Sequence, residues 1–190
     1  MRKLVFGVGV NDADYVVQSR VNGVSVKCPY YRVWENMLQR AHCELFHARN
    51  PTYQDVTVCE EWLSFMVFRE WMEGEDWEGK ALDKDIVVSG NREYRPDRCL
   101  FVSLAVNGLL NTHANDRGAY PCGVVKNSGK YRAQIRIFGK RKHLGYFDTV
   151  NEAEQAYKKA KKRYIEDIAM TQTDARIRDG LLRHAELLAA

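Results

Sequence analysis

The run Lys130-Tyr131-Arg132-Ala133-Gln134-Ile135-Arg136-Ile137 constrains this chain more than any other. Polar and apolar residues alternate without a break, the two-residue period of a strand with one face buried and one open. Tyr131, Ala133, Ile135 and Ile137 share one side. Lys130, Arg132, Gln134 and Arg136 share the other, spaced about 7 Å apart. Residues 122–126 and 141–147 flank this run across the turns Asn127-Ser128-Gly129 and Gly139-Lys140, so three short strands are expected. A helix follows. Thr149 and Glu152 make a capping box, and Ala153, Ala156, Tyr157, Ala160, Tyr164 and Ile165 lie on one stripe. Residues 119–167 are thus expected to form a small domain of three-stranded antiparallel sheet packed on one helix, with a helical tail over 168–190.

Charge says what such a sheet could face. The whole chain carries 29 Lys and Arg against 25 Asp and Glu, a net +4 with little content. Residues 1–111 hold 13 basic and 16 acidic residues, net −3, whereas residues 112–190 hold 16 and 9, net +7. A basic second part calls for a polyanion. Arg and Gln suit base edges in the major groove, Lys suits phosphates, and a β-ribbon fits that groove. The expected partner is double-stranded DNA, bound by Lys126, Lys130, Arg132, Gln134, Arg136, Lys140, Arg141 and Lys142. The competing reading is an ordinary solvated strand face.

Other classes fall away. No apolar run approaches the roughly 18 residues of a membrane span, so no membrane partner is expected. The start Met1-Arg2-Lys3-Leu4-Val5-Phe6 turns polar at Gly7–Asp14 before a signal-peptide core can form. Five cysteines, an odd number without a CxxC pair, read as free thiols of a reducing cytoplasm. Cys59 and Cys99 lack close partners, so zinc is not expected.

The first part reads as mixed elements. Strands are expected at 4–10 and 21–27, helices at 30–44 and 60–72, and an extended piece at 56–58. Trp34, Trp62 and Trp71 read as core, and His42 and His47 as surface residues. Residues 81–111 then run strand (81–88), loop, strand (99–103), helix (104–110, capped by Ser103). Residues 112–118, with His113, are turn-forming and read as a linker. The fold class is therefore α+β in two domains, 1–111 and 119–167.

Two resemblances sharpen this. Gly123-Val124-Val125, Tyr131-Arg132-Ala133-Gln134-Ile135, Lys142-His143-Leu144-Gly145-Tyr146-Phe147-Asp148-Thr149 and Glu152-Ala153-Glu154-Gln155-Ala156-Tyr157 resemble the Apetala-type domain of plant ethylene-response factors and phage homing endonucleases. That resemblance covers about 45 residues and implies a three-stranded sheet that contacts DNA. Leu82-Asp83-Lys84-Asp85-Ile86, Asn91, Cys99-Leu100-Phe101-Val102 and Asn107 resemble a ββα-metal finger of HNH endonucleases, which phage enzymes often join to an Apetala-type domain in this order.

The finger resemblance implies metal ligands at Asp83 and Asn107, Mg²⁺ as the cofactor, and catalytic roles for Lys84 and Asp85. One hard cation on oxygen ligands lowers the cost of attacking a phosphodiester. The chain departs from the family where an aspartate-histidine pair becomes Asp83-Lys84; a protonated lysine is no base. On a regular strand Asp83 and Asp85 would share one face, with Lys84 on the other. The implied function is a phage HNH-type endonuclease nicking or cleaving double-stranded DNA in the host cell cytoplasm. Two alternatives are a catalytically inactive DNA-binding regulator or accessory protein, and a phage protein antagonising a host protein.

Overall fold

In a computed structural model, residues 3–110 and 119–188 are described; the expected linker 112–118, with His113, lies outside the described residues. The chain divides into two units, 1–101 and 102–190. The class is α+β.

The first unit is built on aromatic packing. Asn22 and Gly23 both take positive φ, as a two-residue hairpin turn requires, and join β1 (Gln18–Val21) to β2 (Val24–Lys27). The expected strand at 21–27 is therefore a hairpin. The expected strand at 4–10 is a tight turn in which the amides of Val8 and Gly9 both donate to the Val5 carbonyl. Helix α1 (Pro29–His42) starts on a proline, whose fixed φ suits a first helical turn. It buries Tyr31, Trp34, Met37, Leu38 and Ala41. Helix α2 (Glu44–Arg49) follows.

The expected helix over 60–72 divides at Ser64. A 3₁₀ turn spans Glu60–Leu63, and α3 (Phe65–Glu73) begins where Ser64 Oγ accepts from the Val67 amide. Trp34 Nε1 donates to the Trp62 carbonyl at 2.7 Å, satisfying the polar atom of a fully buried ring. Phe65, Phe68 and Met72 complete this core.

Strand β4 (Lys80–Asp83) is half the expected length. It stops because Asp83 Oδ1 accepts the amides of Asp85 and Ile86, at 2.9 and 2.8 Å, turning the chain in place of a ladder. A parallel pairing not visible in the sequence joins β3 (Thr57–Val58) to β5 (Glu93–Tyr94). Strand β6 (Leu100–Ser103), within which the first unit ends, pairs with β4.

The second unit continues with α4 (Leu104–Leu110), where Ser103 Oγ accepts from the Val106 amide as expected. Strands β7 (Val124–Asn127), β8 (Lys130–Ile137) and β9 (Lys140–Phe147) form one antiparallel sheet in the order β7-β8-β9. Helix α5 (Val150–Ala169) packs on it and opens with the Thr149–Glu152 capping box. Ala133 and Ala153 are fully buried, so small side chains let sheet and helix approach. Asp174 caps α6 (Ala175–Leu187), which buries Ile177, Leu181 and Ala185 and packs along α5. No helix among the described residues is long and apolar enough to cross a membrane.

Candidate nucleic-acid interface

Register decides which side chains share a face, because residues directly opposite in an antiparallel pair point the same way. Tyr146 lies opposite Arg132, His143 opposite Gln134, and Arg141 opposite Arg136. The pairing of Ala133 with Gly145 and Gln134 with His143 leaves Leu144 as an extra residue, a bulge on β9. The bulge puts His143 and Tyr146 on one side, where their rings lie 4.8 Å apart. Val125 of β7 stands opposite Arg132 on the same side.

The open face therefore presents Arg132, Gln134, Arg136, Arg141, His143 and Tyr146. Arg136, Arg141, His143 and Tyr146 are exposed. Among the described residues none of the three arginines makes an ion pair, and the Arg132 Nε is covered without a hydrogen-bond partner. Lys130 differs: its ammonium lies 3.1 Å from Asp148.

The eight expected DNA-binding residues thus separate. Arg132, Gln134, Arg136 and Arg141 converge on one face, with Lys130 at its end. Lys126, Lys140 and Lys142 stand opposite Tyr131, Ile137 and Ile135, so the register places them on the side that carries α5, exposed at its margin. His143 and Tyr146 join the face and were not among the eight. The Leu144-Gly145 pair was the signal: glycine at φ +143° inside a strand marks a bulge.

The finger residues are arranged differently. Beyond β4 the chain bends, so strand alternation does not apply to Lys84 and Asp85. Lys84 is buried, its side chain 7% exposed. Its Nζ donates to both carboxylate oxygens of Asp85 and to the Asn91 carbonyl, each at 2.8 Å. The Asn91 side chain donates in turn to the carbonyls of Lys84 and Glu93. Burial pushes the Asp83 carboxyl up, partly opposed by the two amides it accepts. On the α1 side, burial works against the Arg40 charge, and the nearby Tyr94 and Asp83 more than offset it, holding its pKa above the ordinary value. Asn107 belongs to α4 in the second unit.

This donor set does not fit a divalent cation. Both oxygens of Asp85 and one of Asp83 are engaged, and the Lys84 ammonium holds the position facing Asp85 that a metal would take. Among the described residues no three His, Cys, Asp or Glu side chains converge as metal ligands. An ammonium with three acceptors around it acts as a clamp on the 84–91 loop. The remaining candidates are structural. His47 Nε2 meets the Arg40 carbonyl at 2.8 Å. Burial pushes the thiols of Cys59 up to about 11 and Cys99 to about 12, leaving both as inert thiols.

No protein-family model, curated protein or solved structure matches the chain.

Proposed function

We propose that this protein binds double-stranded DNA by seating the open face of β7-β8-β9 in the major groove. The observation that carries the reading is the convergence of Arg132, Arg136 and Arg141, without ion-pair partners among the described residues, beside Gln134 on one sheet face. Arginine forks and an amide at that spacing suit base edges, and Tyr146 adds a flat apolar surface. The Lys84 clamp favours binding without strand cleavage, the role of a regulator or accessory protein.

Fluorescence anisotropy with a labelled duplex tests this. Affinity should fall steeply between 50 and 200 mM salt, as phosphate contacts require. Arg132→Ala with Arg136→Ala should weaken binding at least tenfold. A flat salt response, or a double variant that binds as the parent does, would refute the reading. Supercoiled plasmid incubated with Mg²⁺ or Mn²⁺ tests the endonuclease alternative: nicking lost in Asp83→Ala would establish it.

A further inference from the structure

The second unit holds a cavity of about 850 Å³ whose α4 and α5 walls take no part in the face proposed for DNA. It runs along the part of β8 that β7 does not cover. β7 pairs with β8 from Lys130 to Ala133, and the Gln134 amide still reaches the Gly123 carbonyl at 2.8 Å. Pro121 has no amide to continue the ladder, and its carbonyl turns to the Val124 amide. Among the described residues no strand lies against this edge beyond Gln134. Ala105, Gly108 and Leu109 of α4 form one wall, and Tyr157, Lys161 and Tyr164 of α5 form another. Phe138 and Gly139 also line it.

Two properties of the lining point to the same ligand. The charge is of one sign: Lys126, Arg136, Arg141 and Lys161 line the cavity, and among the described residues no carboxylate does. Lys161 is the least exposed of these. Its ammonium has three donors, yet among the described residues its one hydrogen-bond acceptor is the Leu109 carbonyl, at 2.6 Å. The second property is the apolar part of the walls, from Tyr120, Leu109, Ile135, Tyr157 and Tyr164. The volume lies in the range of about 300–1,000 Å³ typical of small-molecule sites.

We propose that this cavity binds a small aromatic anion, its ring against Leu109 and Tyr157 and its carboxylate or phosphate on Lys161. A half-buried cation short of acceptors is costly unless an anion meets it, and the apolar walls favour a ring over bare phosphate. Burial also pushes the Lys161 ammonium below its ordinary pKa, as expected for a cation awaiting a counter-charge. The cavity shares Gln134, Arg136 and Arg141 with the face proposed for DNA, whereas Lys161, Tyr157 and the α4 wall lie outside that face.

The test is a ¹H–¹⁵N titration of the full chain with phenyl phosphate and, separately, benzoate. Either anion should give saturable shifts at Gly108, Gly123 and Gly139, leaving Gly23 and Gly90 of the first unit in place; which binds tighter identifies the head group. Benzylamine, the cationic counterpart, should shift none of them. Gly108 has open space where a Cβ would go, so Gly108→Leu should fold and fill the cavity. It should weaken binding at least tenfold, as should Lys161→Met, each checked by an otherwise unchanged spectrum. No saturable shift with either anion, equal shifts with benzylamine, or parent affinity in Lys161→Met would overturn the proposal.

Discussion

Lys84 Nζ donates to the main-chain carbonyl of Asn91 at 2.8 Å, and the Asn91 side-chain amide donates back to the main-chain carbonyl of Lys84 at 2.8 Å. Both residues are buried, so each closes a backbone acceptor that water cannot reach. Lys84→Met fills similar volume but removes the donor, and leaves the Asn91 carbonyl unmet. The expected loss is about 2–3 kcal/mol in urea unfolding. The clamp uses no metal, so a chelator should leave the parent midpoint in place. A drop on chelation would mean a cation does this work.

Asp83 turns the chain with one carboxylate oxygen while burial raises its pKa. A folded-state value above the unfolded one means that its contribution is favourable below the ordinary pKa and becomes a cost as pH rises through the folded value. Asp83→Asn keeps the acceptor and loses the charge, so at pH 7 it should be at least as stable as the parent. Asp83→Ala loses the acceptor and should cost about 1–2 kcal/mol. Asparagine proving as damaging as alanine would assign the charge itself a structural role.

His42 sits at the end of α1 with its Nε2 covered and unpartnered, and burial together with His47 lowers its pKa. The unfolded chain therefore binds this proton more readily. The stabilising share is full above about pH 6.5, the ordinary histidine value, and is lost as pH falls toward the folded one. Thermal midpoints should fall between pH 7 and 5, and His42→Gln should flatten that slope. An equal slope in the variant would place the titration elsewhere.

Arg141 and Lys142 are neighbours in sequence, yet the register points them to opposite sides of the sheet. Arg141→Ala should weaken duplex binding severalfold more than Lys142→Ala. Equal losses would mean that the β8–β9 register does not decide which side chains meet DNA.

Gly145 holds the β9 bulge at φ +143°, and a Cβ there would lie 3.1 Å from the Phe147 ring. Gly145→Ala should cost about 1–2 kcal/mol of stability and lower DNA affinity with it. Unfolding and anisotropy on the same sample check whether the two losses travel together.

Several of these features were legible in the sequence because their causes lie within a few residues. The Thr149–Glu152 box, the Ser103 cap and the β8 alternation depend on neighbours one to four positions away, and the structure contains all three. The faces of β9 were not legible, since skipping Leu144 becomes apparent only when β8 is laid beside it. Nor was the fate of 81–88. The run ALDKDIVV reads as a strand, yet Asp83 spends its carboxylate on two amides and ends it.

The sequence by itself determined where a basic, half-buried sheet would form and which helix would cover it. Only the tertiary structure decided that Lys84 is buried as a clamp and that Lys126, Lys140 and Lys142 leave the arginine face. Periodicity and capping are local, whereas burial and register are set by segments distant in the chain. A lysine becomes a clamp only when a residue such as Asn91 arrives to close over it.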